Sequence, residues 1–136
     1  MAPTEDHKAK VEQACQAAEE FSKLYYEHFD KKRHLIRKLY LDTSAVVWNG
    51  NVCNGGEAIS NHFDALPASE HTINSLDTQP LIEPLNPNEM AIAVSVFGTV
   101  KYQNNKNKAF TQNFTLSSQG TVWKIVSDVL RFLEKP

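Results

Sequence analysis

The chain has 136 residues, 41% of them apolar and 22% charged, with a net charge of −2. This is the profile of one ordinary globular domain, long enough to bury a core without disulfide or metal staples. It excludes a global pull on nucleic acid or acidic lipid, and no run of 18 apolar residues offers a membrane span.

Taken in chain order, residues 8–29 predict a long amphipathic helix, with Val11, Ala14, Cys15, Ala18, Phe21, Tyr25, His28 and Phe29 at three- and four-residue spacing. Asp30 fits an N-cap, and DKKRHLIRKLY after it reads as a second, shorter helix, apolar at Leu35, Ile36, Leu39 and Tyr40. Val46–Trp48 reads as a strand that meets Asn49–Gly50, a dipeptide favouring a tight hairpin turn. GGEAISNHFDALP predicts a third helix, apolar at Ile59, Phe63 and Leu66 and stopped by Pro67.

From residue 70 the period changes to two. HTINSLDTQPLI, MAIAVSVFGTVKY, KAFTQNFTLSSQ and TVWKIVSDVLRFL predict four long strands, separated by the turn-like EPLNPNE, QNNKN and QG. Helices first and a strand meander afterwards predict an α+β fold, three helices on one face of an antiparallel sheet. Residues 1–136 form one domain in this reading, with an ordered core over about 8–133.

The alternation assigns faces. In the strand at 90–102, Met90, Ile92, Val94, Val96 and Val100 share one side, and Ala91, Ala93, Ser95, Phe97 and Thr99 the other. In the last strand, Trp123, Ile125, Ser127, Val129, Arg131 and Leu133 form one stripe, and Val122, Lys124, Val126, Asp128, Leu130 and Phe132 the second. Both sides of the sheet carry apolar area. One is covered by the helices, so the other is expected to be covered by a partner. On periodicity alone, Arg131 either snorkels off the strand end or takes part in that contact. Val129 and Ile125 serve as core or as interface, and Trp123 as a core anchor or a binding hot spot.

Chemistry-bearing motifs are sparse. Cys15, on an apolar helix face, and Cys53 read as reduced thiols of a cytosolic or nuclear protein, and the first ten residues lack the apolar core of a secretory signal. The NFT at 113–115 is therefore not expected to be glycosylated. Lys31, Lys32, Arg33, His34, Arg37 and Lys38 cluster on the second helix, either as a solvated surface or as a phosphate contact. The five histidines show no ligand spacing, so no metal and no cofactor is expected. A general base needs an ionisable group inside an apolar pocket. The strand at 90–102 offers none, and Asp77 and Asp128 are the strand carboxylates in this reading, Asp128 beside Lys124 on a mixed face.

AAEEFSKLYYEHFD, RKLYLDTSAVVWNG, HFDALP, LDTQP, FGTVK, FTQNFTL and WKIVSDVLRF occur in this order. As an ordered set they resemble the nuclear transport factor 2-like family, and within it the export-protein branch, over about residues 8–133. The resemblance implies a cone of three helices in a curved antiparallel sheet, paired sheet against sheet with the large nuclear RNA export factor. It implies a non-catalytic adaptor in messenger RNA export. Phenylalanine–glycine repeats of the pore are engaged by the heterodimer, RNA is met mainly by the large subunit, and the complex shuttles between nucleus and cytoplasm and gathers at the nuclear envelope. It gives Arg131 a salt bridge to a partner aspartate and makes Val129, Ile125, Trp123 and Phe97 the apolar contact. Trp48 is mainly core, with a minor contact to pore repeats.

Two other functions belong to the same family. The founding carrier imports Ran–GDP through acidic residues. Here Asn49 and Gln103–Asn105 stand at the matching positions, and each lost charge-assisted contact is worth about 1.5–3 kcal/mol, so Ran binding is not expected. Isomerases and dehydratases of the same cone use a buried aspartate or histidine. That alternative rests on fold analogy.

Overall fold

The computed structural model describes residues 5–80, 91–103, 106–119 and 122–133. The expectations for EPLNPNE, for Met90 and for Asn104 and Asn105 lie outside them. The first element is α1, Glu5–Lys31. Its buried line runs Ala14, Ala18, Phe21, Tyr25, Phe29, as the spacing predicts. Cys15 is exposed, not on the apolar face: it stands one residue, or 100° of turn, from Ala14.

The second helix is a short 3₁₀ helix, Arg33–Leu39, with Lys32 at its N-cap and no side-chain cap. Asp30 is therefore not a cap. It ends α1 and ties it to the sheet, accepting from Ser69 Oγ at 2.8 Å, the His71 N–H at 2.8 Å and His71 Nδ1 at 2.6 Å. Burial alone would raise this carboxyl, but His71 and Ser69 hold it below its usual range.

β1 (Tyr40–Trp48) and β2 (Asn51–Asn54) form the predicted hairpin, with β1 starting earlier than expected. Asn49 and Gly50 both take positive φ, 47° and 91°, which a two-residue hairpin turn requires. Then come α2 (Gly56–Asp64), β3 (Ser69–Pro80), β4 (Ala91–Tyr102), β5 (Lys108–Gln119) and β6 (Val122–Phe132).

The strands form one open six-stranded sheet in the order β2-β1-β6-β5-β4-β3. Every joint is antiparallel except β1–β6, which is parallel and corrects the all-antiparallel expectation. The register shifts at three joints, between Tyr40 and Ala45 of β1 and at one bulge each in β3 and β6, and such shifts bend a sheet. In β3 the register shifts between Ile73 and Ser75, opposite Gly98. A Cβ at Gly98 would lie 2.2 Å from Thr72 O, so only glycine permits this approach of β4 to β3. Gly98→Val is expected to cost about 3 kcal/mol, read as a lowered urea midpoint. The second bulge is in β6: Ser127 pairs with Thr115 and Ile125 with Leu116, leaving Val126 as the extra residue.

The core lies between α1, α2 and the inner side of the sheet. Phe29 stacks on Trp48 at 5.8 Å between ring centres, and Phe63 meets both rings edge-on. Ile92, Val94, Val96 and Val100 face inward from β4, as the alternation predicts.

Candidate partner-binding face

The extra residue in β6 changes what that strand presents. Before it, Trp123 and Ile125 face the core; after it, Asp128, Leu130 and Phe132 do. Val129, Arg131 and Leu133 turn outward, all exposed. The single stripe expected from Trp123 to Leu133 is thus divided between the two sides. Ile125 is 0% exposed and Trp123 packs half-buried on the core, so both lie on the core side of the strand and not beside Val129 and Arg131. A strict period of two cannot survive an inserted residue.

The remaining three predicted contact residues do come together. Phe97 of β4 pairs with Thr111 of β5, and Thr111 pairs with Arg131 of β6. The next rung runs Ser95, Asn113, Val129, with the Ser95 hydroxyl donating to Asn113 Oδ1 at 2.7 Å. A third runs Ala93, Thr115, Ser127. The outer face is therefore a shallow, small-residue strip of Thr111, Asn113 and Thr115, flanked by Phe97 at 38% and Val129 at 39% exposure, with Arg131 at one end. No described residue pairs with the Arg131 guanidinium. A strip of small residues lets another sheet approach closely, and a lone cation beside apolar side chains selects a partner that brings an acid.

Behind this face lies the polar group the sequence reading misplaced. Asp128 is 0% exposed, on the core side, far from the mixed face and the Lys124 pairing expected of it. Lys124 Nζ instead donates to Lys38 O. Asp128 Oδ2 accepts from Tyr40 Oη at 2.6 Å and more distantly from Tyr25 Oη, and Gln112 Nε2 donates to Oδ1 at 2.9 Å and Oδ2 at 3.1 Å. Tyr26 Oη donates to Gln112 Oε1 at 2.7 Å, which orients the amide, and Tyr25 Oη stands 2.8 Å from Tyr40 Oη. With the Tyr40 proton on Asp128, the single Tyr25 proton is shared between Tyr40 Oη at 2.8 Å and Asp128 Oδ2 at 3.4 Å. Burial pushes the Asp128 carboxyl up to about 6, against the hydrogen bonds from Tyr40, Gln112 and Tyr25. Burial, and then the Asp128 charge, push all three phenols well above 10, so they remain donors.

The other sequence candidates are structural. Trp48 is 4% exposed, stacked between Phe29 and the edges of His62 and Phe63, and presents no free ring face for a pore repeat. Two cations of the 31–38 cluster are consumed internally. Arg33 donates to the carbonyls of Phe29, Phe63, Leu66 and Pro67 and to Ser69 Oγ. Arg37 donates to Gly56 O and Tyr40 O and pairs with Asp42. Asn49 sits in the hairpin turn at φ 47°, and its N–H ties that turn to β6, donating to Leu130 O at 2.8 Å. Among the described residues no cluster of histidine, cysteine or carboxylate could hold a metal.

The nuclear transport factor 2 (NTF2) domain model matches residues 17–132. NTF2-related export protein 2 of Bos taurus is 48% identical over 97% of this chain and 96% of its own length. Among solved structures, nuclear transport factor 2 of Cryptosporidium parvum superposes with a TM-score of 0.78 at 27% identity, over 89% of this chain and 95% of that one. A chain of the C. albicans Mtr2-Mex67 M domain complex shares the fold, with a TM-score of 0.70 at 15% identity over 88% and 94%. By its match to the domain model and its near full-length identity to these relatives, the chain belongs to the nuclear transport factor 2 domain family, in the branch of the NTF2-related export proteins.

Proposed function

We propose that the chain is a non-catalytic adaptor that heterodimerises with the large nuclear RNA export factor and supports messenger RNA export through the nuclear pore. The observation that carries this reading is Arg131, exposed and without a described partner, in one rung with Phe97 on a sheet face that no described element covers. Val129 in the neighbouring rung completes the contact. The 48% identity to an export protein supports the same branch. Phenylalanine–glycine repeats are met by the heterodimer and RNA through the large subunit, so the complex shuttles between nucleus and cytoplasm and concentrates at the nuclear envelope.

Arg131→Glu tests it. The charge is exposed in the free chain, so the isolated domain keeps its melting temperature within about 2 °C. In the complex the new carboxylate faces the partner's acid, and capture by the large subunit's cone domain is lost. Normal capture of that variant would overturn the reading. The competing reading, a homodimeric Ran–GDP carrier, is disfavoured because Asn49 is a neutral turn residue. Catalysis of the isomerase or dehydratase kind is disfavoured because Asp128 is enclosed by its own donors and lines none of the three recesses around Asp77, His71 and Asp64.

A further inference from the structure

The interior network and the outer face are two sides of one strand. Val129 and Arg131 face outward only because β6 changes phase at Val126. A strand with apolar residues in both phases is not assigned a face by its apolar residues alone. Skipping no residue would bring Ser127, Val129 and Arg131 inward and send Asp128, Leu130 and Phe132 outward. Leu130 and Phe132 offer somewhat more apolar surface to the core than Val129 and Leu133, and the observed phase also keeps the Arg131 charge in solvent. Asp128 adds a geometric lock to these two preferences. In the observed phase its carboxylate meets donors from three other elements: Tyr25 of α1, Tyr40 of β1 and Gln112 of β5. In the other phase Tyr40 Oη and Gln112 Nε2 would lose the carboxylate and have only Tyr25 Oη, at 2.8 and 3.3 Å, left to share as acceptor. Buried donors left unmade are the costly outcome.

The bulge is held from the β1 side as well. Ser44 Oγ accepts from the Leu41 N–H and donates to Ile125 O, the residue before the insertion. Ser44 thus fixes the strand just upstream of the phase change, and Asp128 fixes it just downstream.

We propose that Asp128 is a positioning residue for partner docking: its carboxylate, gripped by Tyr40, Tyr25 and Gln112, locks β6 in the phase that presents Val129 and Arg131. The proposal rests on the adaptor reading for its binding consequence, but the lock itself can be read in the free chain. The hydrogen-bond pattern accommodates an amide. Asparagine can accept from Gln112 through Oδ1 and donate through Nδ2 to the Tyr40 hydroxyl. Valine can do neither.

Phase is measured first, without a partner. In a background carrying Cys15→Ser and Cys53→Ser, Val129→Cys is expected to react with maleimide at least tenfold faster than Leu130→Cys. Adding Asp128→Val is expected to shrink that ratio below threefold, and adding Asp128→Asn to leave it. Docking is measured second, by titrating the chain with the large subunit's cone domain at a temperature where each variant is folded. Asp128→Val is expected to weaken docking at least tenfold, and Asp128→Asn to stay within threefold of the parent. Should Asp128→Val not fold, Tyr40→Phe replaces it in both measurements, keeping the ring and removing the shortest donor, with at least a threefold loss of docking and of labelling contrast expected. An unchanged labelling ratio in the folded Asp128→Val chain, or in Tyr40→Phe, overturns the lock. So does equal impairment of the valine and asparagine variants. If the parent chain fails to bind the cone domain while the labelling results hold, the adaptor reading falls and the lock stands.

Discussion

Replacing Arg33 by alanine is expected to lower stability by about 3 kcal/mol and the melting temperature by about 10 °C. The guanidinium closes the junction where α1 ends, the 3₁₀ helix begins and the segment after α2 returns to the sheet. Its Nε donates to Phe29 O at 2.7 Å, Nη1 to Phe63 O and Leu66 O at 3.2 and 3.0 Å, and Nη2 to Pro67 O and Ser69 Oγ at 2.8 and 3.1 Å. It also lies over the Phe29 ring at 4.5 Å. A flat fork with five donors can serve diverging carbonyls at once, and an ammonium cannot. Arg33→Lys is therefore expected to recover less than half of the loss. The carbonyls of Phe63 and Leu66 belong to the end of α2 and its exit, so hydrogen exchange in that segment should rise together with the global change. Thermal unfolding of the two variants beside the parent checks it. A melting temperature within 2 °C of the parent in Arg33→Ala would show that water replaces the guanidinium without loss.

Arg33 also illustrates why the fold was more legible than the site. The elements follow from local rules that act within a few residues: the helix line from Ala14 to Phe29, the Asn49–Gly50 turn, and the two-residue period from residue 70. Arg33 sits in a run of cations, and nothing local distinguishes the two that turn inward from those left in water. Each needs an acceptor far along the chain as well as near ones: Phe63 O for Arg33 and Gly56 O for Arg37. The face of β6 failed for a different reason. A bulge is one residue long and shifts every later side chain, while KIVSDVL carries apolar residues in both phases and so gives no contrast to reveal it. One signal was present. The inner stripe of β5 reads Phe110, Gln112, Phe114, Leu116, and a glutamine among those side chains implies a polar partner across the ladder. Pairing it with Asp128 would have placed the bulge before it.

Asp128→Asn is expected to stabilise the chain at pH 7.5 by about 2 kcal/mol and to leave it nearly unchanged at pH 4. The sign follows from the direction of the shift. The folded-state carboxyl is raised to about 6 by burial, above the 3.8 of an exposed aspartate. Well below pH 4 the group is protonated in both states and adds no pH dependence. Between about 4 and 6 the folded state binds more protons than the unfolded one, so stability falls as pH rises. Above 6 the carboxylate carries the full penalty, about 3 kcal/mol for two pH units, less what the amide loses in hydrogen-bond quality. The groups facing Asp128 are Tyr25 and Tyr26 of α1, Tyr40 of β1 and Gln112 of β5, and none is a cation to offset its charge. Urea midpoints of parent and variant across that range check it. The difference between them should open with rising pH and level off above 6. A constant difference, or a parent that gains on the variant at pH 7.5, would mean that the four donor contacts outweigh burial. Because asparagine can keep the grip on β6, stability and docking are expected to separate in this one variant: the chain gains the first and keeps the second, which a residue needed only to hold the fold together would not do.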